Sequence, residues 1–200
     1  MLIKQWAQYV YEAWEAAITA REESKEAAFD LLRIRKVEVE DAELSRGLVR
    51  LLGEACGLDG MVGGQQDDLD AEGREDLGLE SLQSIHARKT GALIASALVA
   101  GAMCAGASES GIQAMWNYGR ELGQAFQIAD DILDVTSDAA TLGKAAQKDA
   151  QAGKATFVSL LGLDGAKRRA ETLVDSACDA LSVYGAEADT LRDIARFVVE

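Results

Sequence analysis

The stretch FQIADDILDVTSD, residues 126–138, contains charged groups at a spacing that could bind a cation. At about 100° per residue of an α-helix, Gln127, Asp130, Asp131 and Asp134 fall within about a third of the helix circumference. Carboxylates so close together repel one another, and a bound cation would relieve that repulsion. The spacing therefore indicates either a cation site or a charged helix face that water solvates.

Magnesium fits the first of these interpretations. Mg²⁺ binds few protein carboxylates and fills its remaining positions with water and substrate phosphates, so the aspartate face could form half of a diphosphate site. The opposite face of the same helix is apolar and consists of Phe126, Ile128, Ala129, Ile132, Leu133 and Val135. Because an amphipathic surface helix shows the same pattern without any ligand, periodicity alone leaves both interpretations open.

A diphosphate site also needs positive charge close to the aspartates. Lys144, Lys148 and Lys154 lie within residues 137–156, a stretch that we predict to be irregular. Each of these lysines could help to bind a diphosphate. Each is equally typical of a loop that water solvates, so the lysines do not decide between the two interpretations.

The composition predicts an all-α protein. The 200 residues include no proline, as expected for helices joined by short glycine-containing turns. The formal net charge of −14 argues against general affinity for nucleic acid or an anionic membrane, since both require a basic face. Cys56, Cys104 and Cys178 are scattered and odd in number, which favours buried free thiols in a reducing cytoplasm.

Hydrophobic periodicity predicts the order of the helices. We expect an amphipathic helical segment at residues 1–36 and one compact unit at residues 37–200. Within that unit the predicted helices lie at about 41–56, from about 60 onward, and at 80–104, 111–135, 157–161, 165–184 and 188–199. The apolar run at residues 91–107 is short and rich in Ala and Gly, so we expect a packed core helix rather than a transmembrane segment. His86, the single histidine, is expected to be a surface or half-buried structural residue.

Five motifs follow one another in the order GMVGGQ, IHARKTGALI, YGRELGQAFQIADDILD, TLGK and AGKAT. In this order and at these intervals they resemble the C-terminal half of a trans-isoprenyl diphosphate synthase of the farnesyl or geranylgeranyl type, in the polyprenyl synthetase family. The resemblance covers about residues 38–200. It implies an isoprenoid-synthase-like helical bundle that lacks the N-terminal helices with the family's first aspartate-rich motif.

The resemblance also implies a metal site. The family's second aspartate-rich motif matches Asp130, Asp131 and Asp134, with Asp130 as a direct Mg²⁺ ligand and the other two acting directly or through water. Lys89 matches the lysine that contacts the allylic diphosphate. Asp68 lies near the GGQ position, but it is a weaker match to a family residue.

Five further positions acquire implied roles from the same resemblance. Thr90 lies near the growing carbocation and Gln127 lines the same pocket, so both join Lys89 as implied catalytic residues. Lys144 and Lys154 approach the diphosphate, and Gln65 occupies the glutamine position of GGQ. The implied cofactor is Mg²⁺, and the implied substrates are an allylic diphosphate and isopentenyl diphosphate.

The chain departs from the family in one respect. A first DDxxD followed by paired arginines is absent, and Asp67, Asp68 and Asp70 do not have that spacing. We therefore expect little condensation activity from this chain alone, and either a homo-oligomer or a complementing subunit. The alternative is a non-catalytic helical bundle or subunit that binds a diphosphate or a partner helix.

Overall fold

The computed structural model describes residues 42–74, 76–141 and 155–200, and within residues 137–141 only the backbone. The chain divides into two compact units, Met1–Leu48 and Val49–Glu200. The expected amphipathic segment at residues 1–36 and the expected diphosphate ligands Lys144 and Lys154 lie outside the described residues. Every residue of the candidate site described below belongs to the second unit.

The described residues form helices and no strands, which confirms the all-α prediction. The α-helices are α1 Ala42–Cys56, α2 Met61–Asp70, α3 Leu79–His86, α4 Ala92–Cys104, α5 Glu109–Thr141, α6 Phe157–Leu161, α7 Leu163–Ala180 and α8 Asp189–Phe197. A π-helical turn, Ala87–Gly91, joins α3 to α4, and two short 3₁₀ turns, Leu181–Val183 and Ala186–Ala188, separate α7 from α8.

The 33-residue helix α5 is the central element, and it packs against α4 and α7. The largest fully buried side chains are Tyr118, Phe157, Leu82, Ile128, Leu173 and Leu181. The prediction that irregular structure begins at residue 137 was wrong, because α5 continues to Thr141. Ser137–Thr141 contains two alanines and neither Gly nor Pro, so nothing local ends the helix there.

Two glycines of α5 allow α4 to approach it very closely. A Cβ atom at Gly123 would lie 2.7 Å from the Cα of Gly91, and one at Gly119 would lie 2.5 Å from the Cα of Ala95. The many small residues of the 91–107 run are therefore explained by close helix packing, as expected. Among the described residues, no helix is both long enough and apolar enough to cross a membrane.

The cysteine and histidine predictions were each partly wrong about burial. The three cysteines are free thiols, as expected, but Cys104 is exposed and Cys56 and Cys178 are half-buried. His86 is fully buried, with its ring centroid 5.5 Å from that of Phe157. The histidine terminates α3 beneath the π-helical turn, so its environment depends on tertiary contacts that local sequence does not reveal.

Candidate functional site

The π-helical turn presents Arg88, Lys89 and Thr90. A continuous helix from residue 80 to residue 104 was expected, and this turn is the difference. A π-helical turn inserts one additional residue into an α-helix, changes the direction of the neighbouring side chains and is frequent at functional sites. The KT pair of the motif IHARKTGALI therefore lies on a locally unusual backbone.

The two glycines of GGQ bring α2 against this turn. A Cβ atom at Gly64 would lie 2.3 Å from the backbone nitrogen of Lys89, and one at Gly63 would lie 2.2 Å from a guanidinium nitrogen of Arg88. A side chain at position 64 would push α2 away from the backbone of the turn, whereas one at position 63 would collide with the Leu58 carbonyl oxygen and displace the flexible end of Arg88. The glycines thus determine where the side chains of α2 meet Arg88 and Lys89.

Consecutive aspartates of α2 pair with consecutive cations of the π-helical turn. Lys89 Nζ lies 2.6 Å from Asp68 Oδ2. Arg88 pairs with Asp67 and also donates to the Leu58 carbonyl oxygen at 2.7 Å. Sequence reasoning did not find either pair. The available signal was the DD that follows GMVGGQ and the RK of IHARKTGALI, but the two dipeptides become a pair only once the two glycines place the helices together.

The expected catalytic residues Thr90 and Gln127 contact each other. Thr90 Oγ1 donates to Gln127 Oε1 at 2.8 Å, which connects the π-helical turn to the aspartate-bearing half of α5. This bond orients the amide, because its oxygen is directed to Thr90 and its NH₂ group must face elsewhere. Lys89, Thr90 and Gln127, which were predicted together, are thus neighbours in the structure.

The three aspartates of the DDxxD motif in α5 have different surroundings. Asp131 Oδ2 accepts a hydrogen bond from the backbone nitrogen of Phe157 at 2.7 Å, so it holds the first residue of α6. Thr156 and Ser159 complete this helix start with a capping box. Asp130 and Asp134 are exposed and, four positions apart, lie one turn from each other on one face.

Among the described residues, no group of three His, Cys, Asp or Glu side chains is arranged to hold a metal ion. Mg²⁺ does not require such a group, because it commonly binds one or two carboxylates together with substrate phosphates and water. The exposed pair Asp130 and Asp134 fits that donor requirement. Gln65 is exposed on α2, where it remains a predicted diphosphate contact.

An open apolar groove of about 660 Å³ runs beside Asp130. Three of its side chains are unusually exposed for their type, with 42% exposure for Phe126, 58% for Leu133 and 75% for Phe197. The groove is lined by Phe126, Ala129, Asp130, Ile132, Leu133 and Thr136 of α5, Lys167, Ala170 and Glu171 of α7, and Phe197, Val198, Val199 and Glu200. Sequence reasoning identified the apolar face of α5 but not the groove.

Comparisons with known proteins agree with the motifs. A family model described as polyprenyl synthetase matches residues 18–186, a range that begins before residue 38, where the motif resemblance starts. The farnesyl diphosphate synthase of Escherichia coli K12 is 39% identical over 189 residues, which cover 92% of this chain and 62% of that enzyme. The chain thus spans about four to six tenths of the length of the curated relatives it matches.

Solved structures show the same likeness. The apo structure of an FPP/GFPP synthase from Zymomonas mobilis matches with a TM-score of 0.70 and 41% identity, covering 86% of this chain and 56% of that one. A geranyltransferase from Helicobacter pylori, solved with magnesium and isoprenyl diphosphate, matches with a TM-score of 0.66 and 29% identity, covering 86% and 55%. With a family model that matches most of its length, this chain belongs to the polyprenyl synthetase family.

Proposed function

We propose that this chain forms the magnesium- and diphosphate-binding part of a prenyltransferase of isoprenoid biosynthesis. The substrates are an allylic diphosphate and isopentenyl diphosphate, and the compartment is the cytoplasm. The observation that carries this proposal is the contact of Thr90 with Gln127, which joins the KT turn to the helix of Asp130. This contact supports one region that combines the cations of the turn, the proposed metal ligands and the apolar side chains beside them.

Asp130 and Asp134 would hold Mg²⁺, with Asp130 as the direct ligand. A bound Mg²⁺ supplies positive charge that stabilises the leaving diphosphate. Asp131 has a different role in this proposal, because its carboxylate already accepts from the Phe157 backbone and ties α6 to α5. Its contribution to the site is to position the chain after the lysine-bearing stretch.

The remaining residues bind and orient the substrate. Lys89 Nζ has three N–H donors, of which one is directed to Asp68, so the others can face a diphosphate oxygen. The amide of Gln127, oriented by Thr90, supports the proposal that its NH₂ group faces the substrate. Lys144, Lys154 and Gln65 complete the proposed set of diphosphate contacts. The apolar side chains beside Asp130 favour the exclusion of water from a reactive allylic cation.

We also propose that this chain alone catalyses little condensation. DDxxD occurs once in the 200 residues, at Asp130–Asp134, which supports the proposal that this chain supplies only one of the family's two aspartate-rich motifs. The exposed side chains of Phe126, Leu133 and Phe197 favour a covering element, which a complementing subunit or a second copy could supply. The same groove supports the second candidate function, a non-catalytic helical subunit that binds a diphosphate or a partner helix.

Isothermal titration of geranyl diphosphate into the purified chain tests the proposal. We expect binding in Mg²⁺ that is lost in excess chelator and in Asp130→Ala. Glu109→Ala, an exposed carboxylate at the opposite end of α5, is the matched control and should bind like the parent. Absence of binding in a folded, helical parent chain would rule out a magnesium-dependent diphosphate site on this chain.

A condensation assay separates the two candidate functions. The first predicts that product formation from geranyl and isopentenyl diphosphate rises when a chain carrying DDxxD with paired arginines is added. The second predicts diphosphate binding without any product under the same conditions. Asp130→Ala should abolish whatever stimulation is seen, because the metal ligand is then absent.

A further inference from the structure

The pair formed by Lys89 and Asp68 is unequally buried. The side chain of Asp68 is 6% exposed and that of Lys89 is 28% exposed. A buried carboxylate that loses its cation remains in a poorly solvated place, at a large cost in free energy. Lys89 therefore stays beside Asp68 instead of leaving it to meet a ligand.

This persistent pair has no net charge. The neighbouring cation, Arg88, is likewise paired, with Asp67. One turn beyond Gln127 on α5, the exposed Asp130 adds a negative charge. The site, as far as its residues are described, is thus negative overall, and an approaching diphosphate anion meets repulsion.

We propose that Asp68 makes diphosphate binding dependent on a divalent cation by neutralising Lys89. This inference rests on the proposed function, since it concerns the same diphosphate site. With Lys89 neutralised, the π-helical turn adds no net charge that attracts diphosphate, and a metal ion held by the aspartates of α5 supplies that charge beside the proposed contacts Lys144 and Lys154. Asp68 thereby prevents the site from taking up a diphosphate when no metal is present.

Removal of the Asp68 charge tests this role directly. Asn has the shape of Asp and can still accept a hydrogen bond from Lys89, so Asp68→Asn changes the charge with little change in position. In excess chelator we expect inorganic diphosphate to bind Asp68→Asn about tenfold more tightly than the parent, because one nearby negative charge is removed. In saturating Mg²⁺ the gain should be smaller, since the metal already supplies the attraction.

Asp67→Asn is the matched control, because it changes the net charge of the chain by the same amount at the adjacent residue. It should leave the affinity in chelator within about twofold of the parent, because Asp67 neutralises Arg88 rather than Lys89. Equal tightening in both variants would overturn the proposal and point to net charge alone. Unchanged or weaker binding in Asp68→Asn would also overturn it and leave Asp68 with a positioning role only.

A double variant shows whether Asp68 acts through Lys89. Lys89→Met/Asp68→Leu removes both charges and leaves no buried charge unpaired. It therefore separates an effect of charge from a folding defect in the single variant. In chelator it should show none of the tightening expected for Asp68→Asn, because the cation that Asp68→Asn exposes is then absent. Binding as tight as that of Asp68→Asn would overturn the proposal, since the gain would then not depend on Lys89. A parent chain that binds no diphosphate in Mg²⁺ would instead contradict the proposed function. The diphosphate affinities of Asp68→Asn and the parent in chelator would still test the inference about Asp68.

Discussion

The two halves of α5 differ in what surrounds them. From Glu109 to Ala125 the helix has one enclosed face, with Tyr118 fully buried, Gly119 in close contact with the backbone of α4 and Gly123 in close contact with that of Gly91, just before α4. From Phe126 onward the apolar side chains of Phe126, Leu133 and Val135 are exposed beside exposed carboxylates. One continuous helix therefore stabilises the fold with its first half and presents chemical groups with its second.

The polar contacts follow the same division. In the first half, Tyr118 donates its hydroxyl to the Leu191 carbonyl oxygen at 2.7 Å and so ties α5 to α8. In the second half, Gln127 bonds to the π-helical turn and Asp131 bonds to the start of α6. Substitutions in the first half should therefore change stability, whereas those in the second should separate stability from ligand binding.

The largest expected effect is that of Gly123→Ala. The added Cβ would lie 2.7 Å from the Gly91 Cα, so α4 and α5 must move apart, and we expect a loss of about 2 kcal/mol in the free energy of unfolding. Gly101→Ala on α4 is the control, because its Cβ meets nothing within 4 Å and should gain up to about 1 kcal/mol. Urea denaturation measures both, and equal stabilities of the two variants would contradict the close-packing argument.

Tyr118→Phe should have the next largest effect. Loss of the hydrogen bond to the Leu191 carbonyl removes about 1.5 kcal/mol from the free energy of unfolding. Burial raises the pKa of the Tyr118 hydroxyl well above its ordinary value of 10.0. Since the unfolded tyrosine ionises first, its contribution is complete below pH 10 and falls as the pH rises beyond it. Urea melts of parent and variant at increasing alkaline pH should therefore converge, and a constant difference would contradict this.

Asp131→Ala should lower stability without abolishing ligand binding. It removes the acceptor for the Phe157 backbone nitrogen, at a cost of about 1 kcal/mol, or about 3 °C in Tm for a domain of this size. Asp130→Ala, at the adjacent exposed position, should show the reverse, with an unchanged Tm and no Mg²⁺-dependent diphosphate binding. Thermal melts measure Tm and calorimetric titrations measure diphosphate binding for both variants. If both variants lose binding and neither changes in Tm, Asp131 is a metal ligand and not a structural residue.

Local sequence predicted the elements but not the contacts between them. The bounds of α6, Phe157–Leu161, agree with those expected, because an apolar run and a capping threonine mark them. The π-helical turn went unpredicted, since its five residues have ordinary helical composition and the additional residue leaves no local signal. Lys89 and Thr90 were predicted to be site residues from the motif IHARKTGALI.

The partners of these residues depend on the tertiary fold. Asp68 is 21 positions from Lys89, and Phe157 is 26 positions from Asp131, so both contacts form only after distant helices pack. The burial of His86 has the same origin, because it depends on the approach of Phe157. Periodicity assigns a residue to one face of a helix. The residues that pack against that face come from distant parts of the chain, so periodicity does not identify them.

The smallest effect on stability is expected for Leu133→Gln in the second half of α5. The side chain is already 58% exposed, so its replacement should change the free energy of unfolding by less than about 0.5 kcal/mol. Because Leu133 lines the groove, the same change should reduce the fluorescence of a bound hydrophobic dye. Val135→Gln is the matched control, since Val135 is 47% exposed and is not among the groove residues. Equal loss of dye fluorescence in both variants would mean that the dye binds to scattered exposed apolar side chains rather than to the groove. A large loss of stability in Leu133→Gln would mean that this half of α5 is more enclosed than the exposure of its side chains indicates.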